Sequence, residues 1–219
     1  MLKTSHTVFS PRARDFEAER RAVLQEARRQ LIETSRDDFA REPERIDGLT
    51  GVQNRETFRE RLRYVLQRLR RQPLDLMVGN VALDGLEELG GAHGREVADE
   101  VLRIAATRLS TRIGHHAVGR NGADEFACLL HAACNADHAS RLAGALHDAL
   151  SAPCEVLGLK LSVRPSIGIA CFPYDGTTDT SLLMRSEAAM LRARHYRTGH
   201  ALYSGELDAA FATPARADG

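Results

Sequence analysis

Arg120-Asn121-Gly122-Ala123-Asp124-Glu125-Phe126, running on into Ala127-Cys128-Leu129-Leu130, joins a turn signal to an apolar run. Asn121-Gly122 is a strong hairpin-turn signal, because both residue types accept the positive φ that tight turns demand. Residues 125–131 then read as a short, mostly apolar strand. Two adjacent carboxylates, Asp124 and Glu125, stand where turn meets strand. Such acids are either solvated turn residues or a place to hold a cation, and the seven residues alone leave both open.

Working outward, apolar periodicity alternates between helix and strand. Residues 54–71, with Phe58, Leu62, Val65, Leu66 and Leu69 apolar, predict an amphipathic helix stopped before Pro73. Residues 74–83 (LDLMVGNVAL) are almost continuously apolar, as expected of a strand buried on both faces. Val97, Val101, Leu102, Ala105 and Leu109 predict a helix over 95–112, and a further helix is expected over 136–151. Gly158 marks a hairpin turn between CEVL and KLSV. KLSVRPSIGIACF reads as one long strand, with Pro165 implying an edge or bulge because proline donates no ladder hydrogen bond. A helix over 179–196 and a short strand at HALY complete an α+β plan, a sheet covered by helices and related to the ferredoxin-like βαββαβ core.

The remaining chain sets the boundaries. Residues 1–45 form a charged extension in which Phe16, Leu24, Ala27 and Leu31 recur at helical spacing before Pro43. That stripe suits a helix packed back on the domain or docked on a protein partner or second copy. The domain proper is expected over 46–205 and a flexible tail over 206–219. Among the 219 residues, Lys plus Arg and Asp plus Glu are each 30, so no net field points to nucleic acid or a membrane surface. No apolar run approaches the roughly 20 residues of a membrane helix, and MLKTSHTVFS has no signal-peptide core. The four cysteines, Cys128, Cys134, Cys154 and Cys171, form no CxxC pair, which suits reduced thiols and a cytoplasmic location. His93, His115, His116 and His131 have no matching acid or thiol spacing and read as surface histidines.

Five phrases, in order, resemble the GGDEF family of diguanylate cyclases. Asp47-Gly48-Leu49-Thr50-Gly51-Val52-Gln53-Asn54-Arg55 is similar to DxLTGLxNR, and Ala98-Asp99-Glu100-Val101-Leu102 to GDxxL. Arg120 to Phe126 resembles RxGGDEF with Ala123 in place of the second glycine. Ser166-Ile167-Gly168-Ile169-Ala170 resembles SIGIA, and Glu187 to Arg194 the ADxAMYxAK helix. The resemblance spans about residues 47–203 and implies a mixed, mainly antiparallel five-stranded sheet surrounded by helices. It implies one GTP per domain, two domains meeting face to face, and divalent metal such as Mg2+ held by carboxylates at the turn. On that similarity Asp124 and Glu125 are the catalytic and metal-binding carboxylates, with Gly122 and Ala123 beside the nucleotide. Asp99 is then a guanine acceptor and Arg194 the basic group near the phosphates.

Set against the family's DxDxFKxxND stretch, this chain departs. Ala82 stands where the first aspartate ligates metal, Asp84 keeps the second, Glu87 replaces the phosphate-steadying lysine, and Gly90 the guanine-reading asparagine. Hard divalent ions depend on oxygen donors, so the loss at 82 predicts a weakened site served by Asp84, Asp124 and Glu125. The product-inhibition RxxD falls on Ile113 and His116 and is absent. Three readings follow: a guanine-nucleotide-binding signalling domain with little or no cyclase activity, an active dimeric cyclase with a rearranged metal site, and a nucleotide-free interaction scaffold.

Overall fold

Nine consecutive residues, Leu76–Asp84, form strand β1, and all but the last are buried. The computed structural model describes residues 45–70, 75–130 and 134–211. The expected N-terminal helix and its boundary at 45 therefore fall almost wholly outside the described residues. In chain order the elements are α1 (Arg55–Leu69), β1, α2 (Leu86–His93), α3 (Arg95–Ile113), β2 (Val118–Arg120), β3 (Glu125–Leu130) and α4 (Ala136–Ser151). Then come β4 (Cys154–Val156), β5 (Leu159–Leu161), β6 (Arg164–Phe172), α5 (Asp179–Tyr196) and β7 (His200–Leu202).

The main sheet has five strands in the order β2-β3-β1-β6-β7. β1 lies antiparallel between β3 and β6, and only the β6–β7 pair is parallel. This is the mixed, mainly antiparallel α+β sheet expected. The central place of β1 explains its unbroken apolar run. Met77, Val81 and Leu83 pack on one face with Val101, Ala105 and Leu109 of α3 and Leu146 of α4. Leu76 and Val78 pack on the other with Phe58, Leu62 and Leu66 of α1 and Leu182 of α5. Each face is thus closed by helices, and burial of these side chains contributes about 1.5–3 kcal/mol apiece.

One buried polar residue interrupts β1 for a reason. Asn80 donates through Nδ2 to the Leu183 carbonyl and the Ser186 hydroxyl, both at 3.0 Å, fixing α5 against the sheet. Its Oδ1 accepts from Asn121 Nδ2 at 3.2 Å, which ties the β2–β3 turn to the same strand.

Three expectations need correction. KLSVRPSIGIACF is two strands: β5 pairs with β4 in a separate two-stranded ribbon, and β6 begins at Arg164. Pro165 pairs with Leu83 of β1, while β7 meets β6 only from Ile167 onward, so the proline sits where one side has no neighbour in the sheet. The segment after β1 holds an unforeseen helix, α2, bounded by Gly85 at φ 81° and Gly94 at φ 95°. These left-handed positions suit glycine and separate α2 from α3. Finally, residues 206–211, assigned to the flexible tail, fold onto the domain: Asp208 is buried and accepts from Arg192 Nε at 2.5 Å and from the Ser204 amide at 2.8 Å. No helix among the described residues is long and apolar enough to cross a membrane.

Candidate functional site

The site grows from the end of the sheet where β1 finishes and β3 begins. The β2–β3 turn is closed by the amides of Asn121 and Gly122 donating to the Glu125 carbonyl at 2.8 and 3.2 Å. Arg120 holds it from below, donating through Nε to the Gly122 carbonyl at 2.7 Å and through its terminal nitrogen to the Ala123 carbonyl. The opening loop braces the same strand: the Arg120 amide donates to the Gln53 carbonyl at 2.7 Å, and the Arg120 guanidinium lies 3.6 Å from Asp47. Asp47 in turn accepts from the Thr50 amide and hydroxyl at 2.9 and 2.6 Å. The Leu83 amide donates to the Asp124 carbonyl at 3.0 Å, so turn and β1 are locked in one register.

That register sets which side chains meet. Ala82 is opposite Glu125 on β3 and Ser166 on β6, so the three share the face covered by α1 and α5. Asp84, two residues on, shares it too, because side chains alternate along a strand. Its carboxylate accepts from the Ser166 hydroxyl at 2.6 Å and from Arg194 Nε at 2.5 Å. The same guanidinium reaches Asp124 through its terminal nitrogen at 3.4 Å. Arg194, from the last turns of α5, therefore spans the two aspartates. Glu125 is held above its ordinary carboxylate value, chiefly by burial and then by the charges of Asp124 and Glu187, with Arg194 and Arg55 pulling the other way. Gly122 supports this crowding, since a Cβ there would lie 3.3 Å from the Glu125 side chain.

Two adjoining cavities open at this edge. One of about 480 Å³ is lined by Asp84, Glu87, Asp124, Ser166 and Arg194, among others. The second, about 430 Å³, has walls from Leu86, Gly90, Ala98, Leu102 and Ala123, with the carboxylate-bearing residue Asp99 at its margin. Leu86, Glu87 and Asp124 line both, so the two cavities are neighbours along the same edge. Of the residues singled out on sequence, Asp84, Asp124 and Arg194 converge in the first cavity, and Asp99 and Ala123 in the second. Gly122 lines neither and acts inside the turn. Ser166, Glu187 and Arg55 were missed as neighbours of the acids. Ser166 was accessible in principle, because a polar residue facing a strand end on the buried side needs a partner.

Ala82 offers no side-chain oxygen and is wholly buried, and the oxygens of Asp84 and Asp124 face one guanidinium. Among the described residues, no three His, Cys, Asp or Glu side chains converge as a metal site.

Comparison with known proteins agrees with this architecture. Residues 44–200 match the family model described as "Diguanylate cyclase, GGDEF domain". The chain is 31% identical over 165 residues to the bifunctional diguanylate cyclase/cyclic di-GMP phosphodiesterase MucR of Pseudomonas aeruginosa, covering 74% of this chain and 24% of that protein. It is 30% identical over 155 residues to the diguanylate cyclase TpbB of the same organism, covering 70% of this chain and 36% of TpbB. The chain thus spans only a quarter to about a third of these relatives. The solved GGDEF domain of TpbB superposes with TM-score 0.69 at 28% identity, covering 75% of this chain and 98% of that domain. A sensory box/GGDEF family protein from Caulobacter crescentus gives TM-score 0.65 at 32% identity, covering 69% and 99%. With the family model matched across most of its length and the same sheet and turn in place, this chain belongs to the GGDEF domain family of cyclic di-GMP signalling.

Proposed function

We propose that this domain binds a guanine nucleotide, GTP or cyclic di-GMP, at an altered site, has little or no cyclase activity, and signals through contacts with other proteins. The observation that carries the reading is Arg194 spanning Asp84 and Asp124 beside a fully buried Ala82. Cyclisation needs a cation to neutralise phosphate and activate the attacking hydroxyl, and these acids are already engaged by a side chain. Glu87, exposed on the rim of both cavities, adds negative charge where a triphosphate would enter.

Nucleotide affinity is supported by the second cavity. Leu86, Ala98 and Leu102 provide apolar walls suited to a base, and Asp99 is an acceptor for the N1 and N2 donors of guanine. The N-terminal segment over 1–45 is the proposed contact for a protein partner or second copy, through its stripe of Phe16, Leu24, Ala27 and Leu31.

Two measurements test the reading. Titration calorimetry is expected to show GTP or cyclic di-GMP binding and no comparable affinity for ATP, with Asp99→Ala costing about 1–3 kcal/mol. Chromatography of a GTP–magnesium incubation is expected to show little or no cyclic di-GMP. Turnover near 1 per second, roughly the low end for ordinary enzymes, overturns the loss of activity, and equal affinity for ATP and GTP removes the role given to Asp99.

A further inference from the structure

Charge is not spread evenly along the larger cavity. The strand ends that line it follow the sheet order β3, β1, β6, β7, and they carry Asp124, Asp84, Arg164 and Gly199 respectively. The edge therefore runs from acidic at β3 and β1 to basic at β6. Arg197, the left-handed C-cap of α5 at φ 54°, adds a second guanidinium at the basic end. His147 of α4 adds an imidazole, and it comes close only because residue 199 is glycine: a Cβ there would lie 2.8 Å from the ring. Arg164 and Arg197 are exposed, and among the described residues no ion pair engages either. Neither Arg164 nor His147 belongs to the family phrases that drew attention to the site.

Resting on the guanine-nucleotide reading, we propose that Arg164, Arg197 and His147 form an anion subsite for the phosphates of the bound nucleotide, and that binding there needs no divalent metal. Arg194 supplies what the metal would otherwise supply to the protein. Its single charge offsets one of the two carried by Asp84 and Asp124, so that a polyphosphate meets a partly neutralised acidic side, with Glu87 and Glu88 at its rim, and cations on the other. Arginine suits this task because its fixed fork of donors matches phosphate oxygens and stays charged at any working pH. Magnesium would compete with those donors for the same phosphate oxygens.

The test is calorimetry on the full chain with GTP, with guanosine and with cyclic di-GMP, each in excess magnesium and in excess EDTA. GTP is expected to bind in EDTA at least as tightly as in magnesium. The double variant Arg164→Ser/Arg197→Gly is expected to lose about tenfold or more in GTP affinity while keeping guanosine affinity unchanged. Arg197→Gly suits the positive φ of that residue, so folding is preserved, and circular dichroism verifies it. GTP binding that appears only with magnesium overturns the inference and leaves the guanine-nucleotide reading standing. Unaltered GTP affinity in the double variant removes the subsite. Failure of GTP and guanosine to bind under either condition overturns the inference, and failure of cyclic di-GMP in the same titration overturns the guanine-nucleotide reading as well.

Discussion

Ala82 stands directly across from Glu125 on the β1–β3 ladder, and its methyl group is wholly buried. An aspartate at 82 would place a carboxylate beside Glu125, between Asp84 and Asp124, in a region where burial already disfavours charge. Ala82→Asp is therefore expected to destabilise the domain by about 1–3 kcal/mol in EDTA, the usual cost of an imperfectly satisfied buried polar group. Magnesium is expected to recover part of that loss in the variant and to leave the wild-type melting temperature unmoved, because a ligand stabilises only a fold that binds it. Differential scanning fluorimetry with and without magnesium measures both. A wild-type melting temperature that rises with magnesium would mean that the wild-type acids hold the cation despite Arg194.

Glu125 gives the site a pH signature. Its folded-state value lies above the ordinary 4.5, so the folded protein holds a proton that the unfolded chain releases. Stability is then lost as pH rises from about 4.5 through the raised value, the reverse of a salt-bridged carboxylate. Glu125→Gln removes this term. The variant is expected to melt higher than wild type at neutral pH, with the difference closing as pH falls below 4.5. Parallel melting curves across that range check it, and a constant offset would mean that the titration of Glu125 plays no part.

Much of this was written in the chain, and the rest fails to show for physical reasons. The helices over 95–112 and 179–196 declare themselves because their apolar residues recur on one face, and the structure places them at Arg95–Ile113 and Asp179–Tyr196. β1 is legible because burial on both faces leaves no polar alternation. Helix α2 is not, since Leu86 is its only buried residue and glycines at 90 and 91 erase the pattern. The convergence of Asp84, Asp124 and Arg194 joins positions 110 and 70 residues apart in sequence. Periodicity cannot report such a meeting. Family likeness named the residues, and only the sheet register shows that the arginine bonds to the aspartates. The folding of residues 206–211 was hidden for a similar reason, because it hangs on one aspartate and an arginine in the preceding helix.

Gly168 lies at the contact between β6 and α5. A Cβ there would overlap the Ser186 carbonyl oxygen and the Met190 backbone nitrogen, atoms that move only if the helix moves. Gly168→Ala is expected to cost roughly 3 kcal/mol or more, at the upper end for overpacking. Because α5 carries Arg194, the variant is also expected to lose nucleotide affinity out of proportion to the fraction unfolded. Urea denaturation and calorimetry on the same preparation separate the two effects. A loss under 1 kcal/mol, about the tolerance of a volume-conserving swap, would mean the helix yields freely.

Asp208 and Arg192 decide where the domain ends. The aspartate is buried, its side chain wholly so, and it accepts from Arg192 at 2.5 and 3.4 Å while also capping the Ser204 amide at 2.8 Å. Arg192 also donates through Nη2 to the Leu202 carbonyl at 2.6 Å, so the pair links α5 to the end of β7 and to the residues beyond. Removing one partner strands the other's charge. Asp208→Ala is therefore expected to cost about 3 kcal/mol, and Asp208→Asn somewhat less because its amide oxygen still accepts. Ending the chain at 205 removes the same carboxylate and is expected to match the alanine variant, while ending it at 211 is expected to leave stability unchanged. Chemical denaturation of the four proteins tests the order. If the chain ending at 205 is as stable as the one ending at 211, the boundary expected from sequence is right and the buried pair contributes nothing net.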